Sequence, residues 1–284
     1  MQNQFVPIVT TCLTLLGSAI GSSSVFANES PVTESSGVVA SLEHVTVYGT
    51  SNALLVLEYP GQVSVVDKEE IDLFNPSSMS DLLRDVPGLE FSGGPRRTGE
   101  TPSIRGRGGE NVVILLDGAR QSFNSAHDGR FFLDPELLRS AEVVKGPASA
   151  LYGSGAVGGV LAFESVDAAD LLLPSENAGV RVRLGFQGAN QETLISTTGY
   201  AMTDKLDALA SVNVRQSGDI ELGSGADLPS KDELLSGLFK LAYIMSDELR
   251  VKGSWQHFSN DAFEPNNGQG LNIADNESVI NVEK

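Results

Sequence analysis

The chain has 284 residues and a formal net charge of −18, with 19 Lys+Arg against 37 Asp+Glu. At 40% hydrophobic and 20% charged residues, it can build the core of one or two ordinary domains. The acidic balance excludes a nucleic-acid binder, which needs clustered Lys/Arg to neutralise phosphates, and charge-driven docking on anionic lipid. The single cysteine, Cys12, excludes a disulfide framework and a thiolate metal site.

Residues 1–27 carry no charged side chain; Ile8 to Ile20 is apolar and small, and Val25-Phe26-Ala27 offers small residues to a signal peptidase. This reads as an export signal cleaved after Ala27, although no Lys or Arg precedes the apolar run; a buried helix is the other reading. Downstream, no apolar run reaches the length of a membrane-spanning helix. Residues 28–57 are a flexible linker, too polar at its start to pack. Within it, Val45 and Val47 alternate with polar neighbours across Glu43, His44, Thr46 and Tyr48, as in a short strand. Such a strand is either received by the sheet edge of a partner or is the first edge strand of the next domain.

From 58 to 170, short strands and helices intermix, which predicts a small α+β domain. Val63 to Val66 reads as a strand, and Asp67 with Glu70 three residues later as a helix start. Ser80 to Arg84 is a second helix, stopped at Val86-Pro87-Gly88. The apolar run Val112 to Leu116 suits a central strand. Asp134-Pro135 predicts a capped helix, Ala141 to Val144 a strand, Gly146 to Gly159 a tight turn, and Val160 to Glu164 a last strand. The glycines do not form a phosphate loop, because Lys145 precedes them and no Gly-Lys-Ser/Thr occurs. No catalytic set is present, and His44, His127 and His257 lie far apart, so an enzyme is not expected.

Beyond 178, apolar and polar residues alternate: Val180, Val182, Leu184, Phe186; Leu206, Ala208, Ala210, Val212, Val214; Leu249, Val251, Gly253, Trp255. With two weaker stretches, 192–202 and 235–245, these make five expected strands of about ten residues, the length of a tilted membrane β-strand. Thr203-Asp204 and Ser246-Asp247 read as short turns and 216–233 as a long polar loop, the asymmetry of an outer-membrane barrel. A soluble antiparallel sandwich shows the same alternation.

Leu82-Leu83-Arg84-Asp85-Val86-Pro87-Gly88-Leu89, Ile104-Arg105-Gly106, Leu115-Leu116-Asp117-Gly118, Glu142-Val143-Val144-Lys145-Gly146-Pro147 and Leu151-Tyr152-Gly153-Ser154-Gly155 occur in one order over 62–170. Together they resemble the plug domain of TonB-dependent outer-membrane receptors. The resemblance implies an α+β plug followed by the first antiparallel strands of a transmembrane barrel of roughly 22 strands. It also implies that Glu43, His44, Val45, Thr46 and Val47 are a TonB box contacting the C-terminal domain of TonB. The segments 117–135 and 163–172 are similar to the haem/haemoglobin receptor branch. In that branch a loop histidine matched by His127 is taken as a haem-iron ligand, and neutral imidazole suits iron.

The resemblance therefore implies an outer-membrane haem or haemoprotein receptor, with haem as transported ligand and no permanently bound cofactor, and with lipid around the barrel. A ferric-siderophore receptor of the same architecture and a stand-alone exported plug-like binding protein remain as alternatives. Only about 106 residues follow 178, too few for the whole barrel at about ten residues per strand. The expectation is an N-terminal portion, truncated or split, that ends inside an outer loop and does not transport alone.

Overall fold

The computed structural model describes residues 45–46, 54–55, 61–94, 97–121, 132–246, 249–265 and 275–283. The expected export signal, Glu43, His44, Val47 and His127 lie outside the described residues.

Strand β1 (Val45–Thr46) pairs antiparallel with β2 (Leu54–Leu55), Val45 opposite Leu55 and Thr46 opposite Leu54. The main sheet of the α+β domain contains β3 (Gln62–Val66), β7 (Val112–Leu116), β8 (Ala119–Arg120), β9 (Leu138–Lys145) and β10 (Gly159–Ser165). Its order is β3-β9-β10-β7-β8, so β1 is not one of its edge strands. β10 lies in its centre, parallel to β7 and antiparallel to β9, and every residue of β10 is buried. A smaller sheet joins β4 (Leu89–Ser92), β5 (Thr101–Ile104) and β6 (Arg107–Gly108).

Helix α1 (Lys68–Phe74) starts where its cap chemistry dictates, the Asp67 carboxylate accepting from the Glu70 N–H at 2.9 Å. It stops at Asn75, which takes the left-handed conformation (φ 46°) and donates its N–H to the Ile71 carbonyl. Helix α2 (Met79–Leu82) is capped by Ser78 and buries Met79 and Leu82. Asp134 does not open an α-helix. It caps a single 3₁₀ turn, Pro135–Leu137, and the chain then enters β9. The backbone of 138–145 finds its partners across the sheet, between β3 and β10, instead of within a helix.

The glycine-rich turn contains one helical turn, α3 (Ser149–Tyr152), closed by Gly153 at φ 84°. At Gly159 (φ 150°) a Cβ would run into the Val144 carbonyl and the Ile104 side chain, so only glycine lets β10 approach β9 there.

The second layer is a six-stranded antiparallel wall. Its strands are β11 (Ala178–Gln187), β12 (Glu192–Met202), β13 (Leu206–Gln216), β16 (Lys231–Ser246), β17 (Leu249–Pro265) and β18 (Asp275–Glu283), neighbours in that order. The connection from 217 to 230 carries a small hairpin, β14 (Ile220–Glu221) with β15 (Asp227–Leu228). β18 corrects the expectation of five strands and of an ending inside a loop, for Val282 pairs with Phe258 and Glu283 with His257. Its first half, Asp275-Asn276-Glu277-Ser278, is wholly polar and shows no alternation, so nothing local marks the strand, which pairs there with Ala262 to Pro265 of β17.

Alternation divides the wall into two faces. Val180, Val182, Leu184, Phe186, Val212, Phe239, Leu241, Val251 and Trp255 are exposed on one face. The other carries Glu192, Leu194, Ser196, Leu209, Asn213, Arg215, Leu234, Leu238, Lys240, Phe258 and Asn260, all buried. Leu209 and Leu238 belong to the same apolar cluster as Ile71, Leu137, Leu161 and Phe163, so the α+β domain packs on this inner face. A second cluster, including Val113, Val144 and Val160, lies on the other side of the domain's sheet.

Candidate functional site: the interface between domain and wall

Apart from the apolar cluster, the two layers are tied at three charged clusters. In the first, Asp72 on α1 is 2.8 Å from the Lys68 ammonium, 2.7 Å from Arg181 and 2.8 Å from Arg183. Arg183 also donates to Glu136 at 2.6 Å and to the Asp72 carbonyl at 3.0 Å. Both arginines are inward residues of β11, and Gly185 on the same face leaves room for the Asn75 side chain. Burial alone raises the pKa of Asp72, but Arg181 and Lys68 outweigh it and hold the carboxyl below its ordinary value. For Glu136 burial wins over Arg183, and its pKa is raised.

The second cluster is buried deepest. Arg215 on β13 is 1% exposed and Asp134 0%. The Arg215 guanidinium donates to both Asp134 oxygens at 3.0–3.2 Å, to Glu192 at 2.8 Å and to the Pro76 carbonyl at 3.2 Å. Ser236 donates to Asp134 at 3.2 Å. From the domain side, Arg97 donates to Asp232 at 2.6 and 3.1 Å, to Glu192 at 2.7 Å, and to the Ser77 carbonyl. Ser217 and Asn260 complete Asp232, donating at 2.6 and 3.0 Å. The pKa of Asp134 is lowered, since burial, the largest single influence, is outweighed by the charge and hydrogen bonds of Arg215 together with the Glu136 N–H and Arg97; that of Arg97 is raised, Asp232 and Glu192 together outweighing burial.

The third cluster fixes the end of β10. Lys240 donates to the Ser165 carbonyl at 2.8 Å and to Asp167 at 2.7 Å, and Lys252 reaches Asp167 at 3.0 Å. The carboxylate of Asp117, just after β7 at φ 48°, accepts from the Ser165 N–H at 2.9 Å and hydroxyl at 2.5 Å. This gives the Leu-Leu-Asp-Gly segment a structural task.

Above the second cluster lies a polar cleft of about 400 Å³, lined by Ser77, Arg97, Glu100, Asn190, Ser217 and Asp232 among others. Glu100 accepts from the Ser80 N–H at 2.8 Å and from both Ser78 and Ser80 hydroxyls, yet burial raises its pKa. Farther along the wall, Phe132 meets the Phe258 ring edge-on at 6.1 Å, and its carbonyl accepts from Gln256 at 3.3 Å.

Of the residues singled out in the sequence, Val45 and Thr46 are placed in the β1–β2 hairpin. His257 stacks on Trp255 at 5.9 Å, on the face of the wall away from the domain. No group of three His, Cys, Asp or Glu with metal-binding geometry occurs among the described residues. The buried network of Arg97, Asp134, Glu192, Arg215 and Asp232 is not foreseen by the sequence pattern. The only sequence signal for it is Arg215 on the polar face of an alternating strand, where barrel interiors keep polar side chains.

A domain bonded by buried charges to one face of an antiparallel sheet whose other face is apolar defines a plugged wall. Known proteins are similar to this chain in sequence and fold. Residues 56–160 match the family described as TonB-dependent Receptor Plug Domain. The chain is 33% identical over 259 residues to the Hemin receptor of Yersinia pestis, covering 89% of this chain and 38% of that protein. It is 35% identical over 205 residues to the Heme/hemopexin utilization protein C of Haemophilus influenzae, covering 72% and 29%. Among solved structures, it is similar to the FrpB iron transporter from Neisseria meningitidis (F3-3 variant), with 29% identity, TM-score 0.65, and 72% and 32% of the two chains covered. The Serratia marcescens hemophore receptor HasR, in complex with its hemophore HasA and heme, shares the fold at 23% identity and TM-score 0.68, over 73% and 32%. Residues 56–160 thus match a receptor plug-domain family, the wall strands follow them, and the chain spans about a third of the length of the curated relatives it matches.

Proposed function

We propose that this chain is part of an outer-membrane receptor that takes up haem, free or from a haemoprotein, with energy delivered through TonB. The observation that carries the reading is similarity to proteins named hemin receptors over 79–89% of the chain, in a plug-and-wall fold. Haem is cargo here, not a resident cofactor. In this reading residues 1–27 are the export signal, 28–57 the linker with the TonB box Glu43 to Val47, 58–170 the plug and 178–284 part of the barrel. The exposed apolar face of the wall meets lipid, where backbone groups must be satisfied within the sheet. His127 is the proposed haem-iron ligand of the plug, its neutral imidazole offered to the ferric iron.

Titrating hemin into the 284-residue chain folded in detergent tests the ligand. A saturable change in the haem absorption band is expected, and His127→Ala should alter the bound spectrum and weaken binding. An unchanged spectrum and titration curve in the variant would remove His127 from the iron, and no saturable change in either protein would remove haem as the ligand.

A further inference from the structure

The second charged cluster contains two guanidiniums that cross the same interface in opposite directions. Arg215 starts on the wall and reaches into the plug, to Asp134 and the Pro76 carbonyl. Arg97 starts on the plug and reaches the wall, to Asp232 and Glu192. The two share Glu192.

They differ in what surrounds them. Arg215 is sealed at 1% exposure, whereas the Arg97 side chain is 11% exposed and forms part of the cleft lining. They differ also in what each leaves behind. Without Arg97, Glu192 keeps Arg215, and Asp232 keeps the neutral donors Ser217 and Asn260 and lines the cleft, where water reaches it. Without Arg215, Asp134 keeps the neutral donors Ser236 and the Glu136 N–H, and it is sealed at 0% exposure. Removing one partner of a buried pair is costly in proportion to the charge left uncompensated.

We propose that Arg97 is the releasable tie between plug and wall and Arg215 the permanent one. Arg97 is a positioning residue. It holds the plug backbone at Ser77 and its own segment, 97–100, against β12 and β16, and it is reached from the cleft, so a cation entering there competes with it for Glu192 and Asp232. Segments that move in function are drawn from those that open locally at low cost. The inference rests on the receptor reading for its purpose, since cargo passes only if plug and wall part. Its geometry does not depend on the ligand.

The test uses the full 284-residue chain in detergent, without haem, and follows amide hydrogen exchange. Arg97→Ala should speed exchange in 76–100 by roughly tenfold or more, as expected from losing hydrogen bonds to charged groups, with β9 and β10 still protected. Millimolar guanidinium should restore the protection in Arg97→Ala, and Arg97→Lys should retain part of it. Arg215→Ala should lose protection across the whole plug, and guanidinium should not restore it. Unchanged exchange in Arg97→Ala, global unfolding of that variant, or equal guanidinium rescue of both variants would each overturn the proposal. Because no haem is present, its failure is separate from failure of the haem reading.

Discussion

Arg215 and Asp134, 81 residues apart in sequence, meet as a fully buried pair, with three nitrogen–oxygen contacts of 3.0–3.2 Å. The pair joins a wall strand to the cap of the turn that feeds the longest strand of the plug's main sheet. Its energetic consequence is asymmetric. Asp134→Asn should destabilise the chain by about 3–5 kcal/mol, because a buried guanidinium loses its main countercharge. The double change Asp134→Leu with Arg215→Met removes both charges and should recover most of that loss. Denaturant midpoints of the parent and the two variants measure it; a double variant as unstable as the single one would show that the network supplies specific stability beyond charge compensation.

pH should act on the plug through two sets of carboxylates of opposite sign. Asp72, Asp134 and Asp167 have lowered pKa values in the fold. Their contribution is fully present above the ordinary aspartate value of about 3.9 and is lost as pH falls through the lowered values. Glu100 and Glu136 are raised, so the stability they contribute is fully present below about 4.3 and lost as pH rises through their folded values. Glu100→Gln should therefore gain stability relative to the parent as pH rises from about 4 to about 7. Thermal melts across that range are the measurement, and parallel curves for parent and variant would contradict the assignment.

Two glycines should respond oppositely to alanine. Gly159 at φ 150° has the Val144 carbonyl and Ile104 where a Cβ would stand, whereas Gly199 on β12 has nothing within 4 Å. Gly159→Ala should cost at least about 2 kcal/mol through strain and displacement of the β9–β10 ladder. Gly199→Ala should be neutral or slightly stabilising, since it restricts the unfolded chain. Equal melting temperatures for the two variants would refute this.

The hairpin of β1 and β2 bears on the proposed TonB contact. A segment that already pairs as a strand is suited to strand addition, in which main-chain bonds give affinity. Val45→Pro removes a donor and should abolish binding to a TonB C-terminal domain, while Thr46→Ser should bind normally. Calorimetry with the isolated TonB domain distinguishes them; binding by the proline variant would place the contact elsewhere.

The order and type of most elements were legible in the sequence because their causes are local. The Asp67 cap with Glu70, the apolar run Val112 to Leu116, and the alternation from Val180 onward each depend on a few neighbouring residues and fix a helix start, a central strand and a two-faced wall. Local signals failed where partners were distant. Asp134-Pro135 carries the chemistry of a helix start, but β3 and β10 claim the backbone beyond it, and one 3₁₀ turn remains. β18 was hidden because its pairing depends on how far β17 extends, not on its own pattern. The charged interface was out of reach altogether. A carboxylate becomes a buried tie only when folding brings a guanidinium to it and excludes water, and Arg97, Asp134, Glu192, Arg215 and Asp232 come from five separate stretches of chain that nothing short of the packed plug and wall brings together.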